Sequence, residues 1–194
     1  FKRYLIGQDP LRIEHHWQYM YRNSYFRGAA VMGALSAVDI ALWDIKGKVL
    51  GRPIYDLLGG PVRDSILLYT HPQYGPPQVV AESGRKQVAE GFTALKTDPF
   101  WEEMGRYHTA YMSGVISRRG EERGGEIIAA LRDAVGPEVE ILIDAHGQYD
   151  VASAIRCAKR LAPYNITWFE EPCPPESYQA LKQVRDAVDV RICV

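Results

Sequence analysis

The chain has 194 residues, of which 46% are hydrophobic and 24% are charged, and its formal net charge is −1. This balance is ordinary for a soluble globular protein and supplies no positive field for binding nucleic acid or an anionic membrane surface. No apolar run approaches the roughly 20 residues that a membrane span needs.

The cysteines and the N-terminal residues are both informative about the cellular compartment of the protein. Cys157, Cys173 and Cys193 form no CxxC pair, and an odd number without metal-ligand spacing is typical of reduced thiols in the cytoplasm. The segment at residues 1–4 has no short apolar stretch followed by a cleavage site, so we predict no signal peptide. We therefore expect a soluble cytoplasmic protein, and the missing initiator Met indicates that its natural start lies further upstream.

The first 60 residues have a helical pattern. Asp9-Pro10 is typical of a helix start, with Asp as the N-cap and Pro at the first helical position. His15 and His16 are adjacent on this helix and point apart, so we expect two exposed histidines rather than a metal pair. A second helix is predicted from apolar residues that recur every three or four positions. These residues are Val31, Leu35, Val38, Leu42, Ile45 and Val49, and Gly and Pro at residues 51–53 end the helix.

From about residue 65 the pattern changes to alternating strands and helices. Five short apolar runs predict strands at residues 66–69, 92–96, 139–143, 166–169 and 190–194. Helices are predicted between them at residues 79–90, 121–135, 151–161 and 178–188. This alternation implies right-handed βαβ crossovers and a parallel sheet that is buried on both faces.

Two architectures fit this alternation, a doubly wound sheet and a (β/α) barrel. No glycine-rich fingerprint follows the first strand, which counts against a dinucleotide-binding sheet. A complete barrel needs about 250 residues, and the alternating region supplies about half of that length. We therefore predict an α/β fold that contains about the first five strands of a TIM-type barrel and is truncated in the fifth.

Charged side chains follow three consecutive predicted strands. They lie at residues 96–98 after the second strand, 144–146 after the third and 170–171 after the fourth. The carboxyl ends of parallel strands meet at one mouth of a barrel, where catalytic residues sit. Carboxylate oxygens that converge in this way suit Mg²⁺. Asp144 and Glu170 are separated by about one βα unit, so we expect them on adjacent strands.

Several segments resemble the mandelate racemase and muconate lactonizing enzyme group of the enolase superfamily. They are YFRG at residues 25–28, ALSAVDIALWDIKGK at 34–48, LLGG at 57–60, ILIDAHG at 141–147 and WFEEP at 168–172. Within this group the chain is most similar to the galactonate dehydratases and related sugar-acid dehydratases, over nearly its whole length. The resemblance implies that residues 1–62 are the helical part of an α+β capping domain. Residues 63–194 would then be the N-terminal half of the catalytic barrel.

The resemblance also implies roles for the residues at the strand ends. Asp144 and Glu170 match two of three carboxylate ligands of an essential Mg²⁺, and the third would lie just past Val194. His146 matches the histidine that relatives use as the general acid that expels hydroxide. The partner base, a histidine paired with an aspartate, would lie on later strands. From the residues alone, Asp144 could instead cap the following segment and Glu170 could form a structural ion pair.

Lys96 matches the first position of a Lys-x-Lys motif and is expected to act in catalysis by contacting the substrate or the transition state. A structural salt bridge to Asp98 or Glu170 is the alternative. The second position of the motif is Asp98, whereas racemases place a basic lysine there, so this departure favours a dehydratase. Asp98, Arg27 of the capping region and His71 after the first strand are expected to bind the substrate.

The predicted function rests on this resemblance. As part of a longer protein, the chain would belong to a cytoplasmic hydro-lyase of sugar-acid catabolism. With Mg²⁺, this enzyme would dehydrate an aldonic acid to a 2-keto-3-deoxy acid through a metal-stabilised enediolate. Its partner would be the small sugar acid, with no nucleic acid or membrane, and relatives often form symmetric homo-oligomers.

Three alternatives remain open. The first is a racemase, epimerase or cycloisomerase on the same scaffold. The second is a truncated chain without activity, because two metal ligands without a base are not expected to work alone. The third is a sugar-binding or interaction module. A Gly-Glu pair after Val194 and a later Asp/His dyad would favour the enzyme.

Overall fold

The computed structural model describes residues 1–101 and 112–194. The chain divides into two compact units, Phe1–Ile66 and Leu67–Val194. No helix within the described ranges combines the length and the apolarity that a membrane crossing requires.

The first unit, which is described throughout, is helical. Its helices are α1 (Lys2–Leu5), α2 (Ile13–Asn23), α3 (Ala29–Leu50) and α4 (Ile54–Leu57). Leu35 and Leu42 of the predicted apolar stripe are buried, whereas Val49 is exposed, so the unit covers only part of this stripe. Gly51 has a left-handed backbone and closes α3 as predicted.

The start of α2 and the environment of His16 differ from the prediction. Asp9 Oδ1 accepts a hydrogen bond from the Leu11 N–H at 2.9 Å, so Asp9 closes a turn before the helix, which begins only at Ile13. His16 is buried. Its Nδ1 lies 2.8 Å from the Tyr4 hydroxyl and its Nε2 lies 2.7 Å from the Asp9 carbonyl oxygen. The expectation of two exposed histidines is therefore wrong for His16, whose two ring nitrogens both have partners inside the unit.

The second unit contains a parallel sheet whose strand order follows the chain. Its strands are β1 (Ala94–Thr97), β2 (Glu140–Asp144), β3 (Trp168–Glu170) and β4 (Ile192–Cys193), in the order β1-β2-β3-β4 over the described residues. The described helices are α5 (Pro77–Ala89), α6 (Arg118–Val135), α7 (Val151–Leu161) and α8 (Tyr178–Ala187). A doubly wound sheet would reverse its order at a switch point, and this sheet does not. The fold is thus a partial barrel, as predicted, and the strands begin within two residues of their predicted starts.

The predicted strand at residues 66–69 is wrong. Ile66, Leu67 and Leu68 are 76%, 72% and 65% exposed. The chain joins the sheet only at Thr70, which forms a parallel bridge with Leu95. There the Thr70 N–H donates to the Ala94 carbonyl oxygen at 3.2 Å and the Lys96 N–H donates to the Thr70 carbonyl oxygen at 2.8 Å. An apolar run becomes a strand only where its backbone groups find a ladder partner, and here a single residue does so.

The core of the second unit lies between the sheet and its helices. Residues that alternate along the strands face the helices, which explains why one set is completely buried. The largest buried side chains of this core are Leu95, Phe100, Ile128, Leu131, Ile141, Ile143, Tyr149 and Phe169. The strand residues between them point to the opposite face of the sheet, which is the inner face of a barrel.

Arg132 connects the C-terminal end of α6 to the turns that precede β2 and β3. Its guanidinium donates to four backbone carbonyl oxygens, those of Gly136, Val139, Tyr164 and Asn165, at distances from 2.6 to 3.0 Å. One side chain thus supplies a hydrogen-bond donor to backbone carbonyls in two separate turns. The connection holds the turn before β2 and the turn before β3 in a fixed relation, and so helps to set the register between these strands.

Gly124 sets the distance between α6 and the loop that follows β1. A Cβ atom at this position would lie 2.1 Å from Phe100 Cε1, and the Phe100 ring cannot move aside easily because it is buried edge-on against Tyr149. The absence of a side chain at Gly124 therefore allows Phe100 to pack under the helix.

We expect Gly124→Ala to lower the free energy of unfolding by about 1–3 kcal/mol, because the added methyl group overpacks the core. Gly125→Ala is the matched control, since its Cβ would meet only the flexible side chain of Arg160 at 3.2 Å. The control should be neutral or stabilising by up to about 1 kcal/mol, as expected for Gly→Ala in a helix. Urea unfolding followed by circular dichroism measures both, and equal stability of the two variants would contradict the packing argument.

Candidate active site

One lysine and two carboxylates meet at the C-terminal ends of β1, β2 and β3. Asp144 and Glu170 are paired in register across β2 and β3, so their side chains leave the sheet on the same face. Lys96 Nζ lies 2.8 Å from Asp144 Oδ2 and 2.7 Å from Glu170 Oε1. The side chain of Lys96 is only 9% exposed, so these ion pairs are shielded from water.

The remaining oxygens of both carboxylates also have partners. Asp144 Oδ1 accepts a hydrogen bond from the His146 N–H at 3.0 Å, and Glu170 Oε2 accepts one from Trp168 Nε1 at 2.9 Å. The two alternatives raised by the residues alone, a cap by Asp144 and an ion pair of Glu170, are therefore both present. The carboxylates are held rigidly by groups on three strands and on the loop after β2.

The ion pairs change the acidity of the groups that form them. Burial opposes ionisation of Asp144, but hydrogen bonds from the Lys96 ammonium and the His146 N–H outweigh it and hold the Asp144 pKa below its usual value. Burial also opposes the charged form of Lys96, yet its hydrogen bonds to Asp144 and Glu170 raise the Lys96 pKa well above its usual value. At neutral pH the cluster therefore contains an ammonium and an ionised Asp144.

His146 and Asp98 lie beside this cluster. The side chain of Asp98 is 2% exposed, its Oδ1 accepts a hydrogen bond from the Phe100 N–H at 2.9 Å, and its Oδ2 lies 3.5 Å from His146 Nδ1. Asp144 Oδ1 lies 3.6 Å from the same ring nitrogen. The interaction with Asp98 is the largest influence on His146 and raises its pKa, against the effect of burial, and Asp144 adds to the rise. The side chain of His146 is 46% exposed and so remains open to solvent.

Aromatic side chains complete the surroundings of Lys96. Lys96 Nζ lies 5.5 Å from the ring centroid of Tyr69, within the range of a cation–π contact. Burial, followed by the charges of Asp98 and Asp144, raises the pKa of Tyr74. Neither Tyr74 nor Trp168 was singled out from the sequence. Trp168 could have been found, because it stands two positions before Glu170 on a predicted strand and so shares its face.

Two of the predicted substrate-binding residues make their described contacts with groups other than these five side chains. The His71 ring contacts Tyr69 edge-on at 5.6 Å, and its carbonyl oxygen accepts a hydrogen bond from Gln87 Nε2. Arg27 belongs to the first unit, where its Nε donates to the Tyr21 carbonyl oxygen at 3.1 Å and its guanidinium lies 4.2 Å from the centroid of the Tyr21 ring. The second unit itself therefore brings together Lys96, Asp98, Asp144, His146 and Glu170.

The donor atoms fit a hard divalent cation. One oxygen of Asp144 and one of Glu170 lie within 2.8 Å of the same ammonium nitrogen, so both carboxylates are aimed at a common point where positive charge is favoured. Mg²⁺ is commonly held by one or two carboxylates while waters complete its coordination. Across residues 1–101 and 112–194, no three His, Cys, Asp or Glu side chains are grouped to hold a metal ion. The described donor set therefore consists of these two carboxylates.

The chain is similar to known proteins over both units. The family model "Mandelate racemase / muconate lactonizing enzyme, N-terminal domain" matches residues 1–59, and "Enolase C-terminal domain-like" matches residues 78–194. A D-gluconate dehydratase from Thermoproteus tenax is 38% identical over 99% of this chain and 38% of its own length. A D-galactonate dehydratase from Pectobacterium atrosepticum is 39% identical over 87% of this chain and 42% of its own.

A solved structure gives the same result for the fold. The mandelate racemase/muconate lactonizing enzyme-like protein from Rubrobacter xylanophilus superposes with a TM-score of 0.85 at 37% sequence identity. The match covers 96% of this chain and 52% of that protein. The chain thus spans about half the length of the solved relative, and about two fifths of the two curated relatives above.

We expect Lys96→Met to destabilise the protein by about 3 kcal/mol at pH 7, because it leaves two shielded carboxylates without their shared counter-ion. The pKa of Asp144 is lowered by folding, so its ionised form stabilises the fold above about pH 4, and this contribution is lost as the pH falls through the lowered pKa. The penalty of the variant should therefore shrink on acidification to pH 4 and below.

Urea unfolding at pH 7 and pH 4 measures this difference. Arg85→Met is the control, because Arg85 forms an exposed ion pair with Glu82 whose loss should change stability by no more than about 0.5 kcal/mol. A penalty for Lys96→Met that is absent at pH 7, or that grows as the carboxylates are protonated, would show that the ion pairs do not stabilise the site.

Proposed function

Because the chain belongs to the mandelate racemase/muconate lactonizing enzyme family of the enolase superfamily, we propose that the longer protein of which it is part is a sugar-acid dehydratase. It removes water from an aldonic acid and yields a 2-keto-3-deoxy acid, with Mg²⁺ as cofactor. The observation that carries this proposal is the convergence of Asp144 and Glu170 on one cation position, with Lys96 and His146 beside it. The names of the gluconate and galactonate dehydratase relatives support the reaction class.

Asp144 and Glu170 are the proposed ligands of the metal. They present hard oxygen donors from adjacent strands, and their backbones are fixed by the sheet register. When bound, Mg²⁺ supplies a Lewis acid that stabilises negative charge as it develops on the substrate carboxylate. The hydrogen bonds from His146 N–H and Trp168 Nε1 fix the other oxygens of the two side chains, which keeps the donors oriented.

Lys96 is the proposed partner for the charge of the substrate. Its raised pKa keeps it protonated at neutral pH, so an ammonium stands next to two carboxylates that would otherwise repel an anionic sugar acid. Its low exposure strengthens the interaction with any anion that displaces water from the site. An ammonium at this position therefore favours a substrate that carries a carboxylate.

His146 is the proposed general acid. The leaving group of the reaction is hydroxide, which departs easily only if a proton is delivered to it. The imidazole follows the C-terminal end of β2, is about half exposed, and contacts the carboxylates of Asp98 and Asp144. The imidazole can therefore reach a bound molecule, and the two neighbouring carboxylates favour its protonated form. The racemases of this group place a lysine base at the position of Asp98, and here that position holds a buried carboxylate.

The test uses the longer protein with a panel of aldonic acids, in Mg²⁺ or in EDTA, and detects 2-keto acids with semicarbazide. We expect product from one or two acids, only with the metal. Asp144→Asn should remove both metal binding and turnover, whereas His146→Asn should retain the metal and lose about 10²–10⁴-fold in turnover. His15→Asn replaces an exposed histidine of α2 and should leave the rate unchanged.

The outcome can also go against the proposal. A protein that binds Mg²⁺ but forms no keto acid from any member of the panel is not a sugar-acid dehydratase. Proton exchange at the carbon next to the carboxylate should then be measured, because it indicates racemisation or epimerisation.

A further inference from the structure

Asp98 is a buried carboxylate that needs compensation for its charge. Its side chain is 2% exposed, and burying an ionised carboxylate is costly unless the charge is paired and hydrogen-bonded. Phe100 N–H satisfies Oδ1, which fixes the plane of the carboxylate relative to the loop after β1. Among the residues that the structure describes, the ion-pair partner of Asp98 is His146, through Oδ2 and Nδ1.

The neighbouring carboxylate, Asp144, is already engaged. Its Oδ1 accepts the backbone N–H of His146 and its Oδ2 contacts the Lys96 ammonium. Asp98 Oδ2 and Asp144 Oδ1 lie 3.5 Å and 3.6 Å from His146 Nδ1, and no other described group donates to Asp98 Oδ2. Asp98 is therefore the acceptor best able to hold a proton on Nδ1 of this ring.

The sheet register brings these groups together. Thr97, the last residue of β1, pairs with Ile143, so Asp98 just past β1 follows at the level of Asp144, the last residue of β2. The loop after β2 then brings His146 next to both, with a left-handed backbone at φ 53°. A lysine at position 98 would place a second ammonium against the ring and would repel its protonated form.

We propose that Asp98 is a positioning residue for His146: its buried carboxylate holds the imidazole through Nδ1–H and leaves Nε2 as the ring nitrogen that faces a bound molecule. This role differs from the substrate contact expected from the sequence. The inference rests on the proposed function for its meaning in catalysis, since it concerns the group proposed as general acid. The geometry of the Asp98 and His146 pair, however, is a property of this chain alone.

The test is the tautomer of His146, read by side-chain nitrogen-15 NMR at alkaline pH, where the imidazole is neutral, and in EDTA. His146→Asn assigns the signals. We expect the proton on Nδ1 in the unmodified chain. In Asp98→Asn, the amide oxygen can still accept from Phe100 N–H, but its NH₂ group then faces the ring and donates to Nδ1. The proton should therefore move to Nε2.

Glu121→Gln is the matched control. Glu121 is also a buried carboxylate of the second unit, and it pairs with Arg156 at 2.6 Å rather than with His146. Its substitution removes a buried charge from the unit and should leave the tautomer of His146 unchanged. A loss of Nδ1–H in this control would mean that the tautomer follows general destabilisation and not the contact with Asp98.

Two results would overturn the inference. One is a proton on Nε2 in the unmodified chain, which needs no variant to fold. The other is an Nδ1–H signal that persists in Asp98→Asn. Because the readout requires no turnover, an inactive longer protein with the expected tautomer contradicts only the proposed function, and an active one with the proton on Nε2 contradicts only the role of Asp98.

Discussion

The ion pairs of Lys96 with Asp144 and Glu170 are the interaction on which the site depends. They join β1 to β2 and β3 at the inner face of the sheet, where an apolar side chain would be expected if packing alone mattered. Removing one partner of a shielded cluster of this kind costs more than the cluster contributes to folding, because the remaining charges stay desolvated. The three groups are therefore best understood as a pre-arranged charge pattern, held in place by the sheet register and by the packing on its other face.

The same pattern links structure to chemistry. Two carboxylates aimed at one point attract a cation, and the Lys96 ammonium offsets part of their charge so that an anionic substrate is not repelled. His146 stands at the edge of this pattern with a second buried acid, Asp98, beside it. The groups proposed as metal ligands, as partner of the substrate charge and as proton donor thus lie within three consecutive βα units, and the solved relative is about twice as long as this chain.

The sequence was a good guide where its signal was periodic. The alternation of short apolar runs with helical segments predicted the parallel α/β fold, and the motifs around Asp144 and Glu170 predicted the family that the comparisons confirm. It was a poor guide where tertiary partners decide. The apolar run before Thr70 has no ladder partner among the described residues, and His16 is buried against a hydroxyl 12 residues before it and a carbonyl 7 residues before it. The burial of Asp98 likewise depends on the path of its loop, which residue spacing does not encode.

Asp144 and Glu170 are the proposed divalent-cation site of this chain. The most direct measurement is a crystal structure of the longer protein soaked in Mn²⁺, with anomalous diffraction recorded at the manganese edge. We expect an anomalous peak coordinated by one oxygen of Asp144 and one of Glu170, with the Lys96 ammonium moved off the point that both oxygens share. Mn²⁺ bound elsewhere, with the Lys96 ion pairs intact at saturating metal, would contradict this proposal.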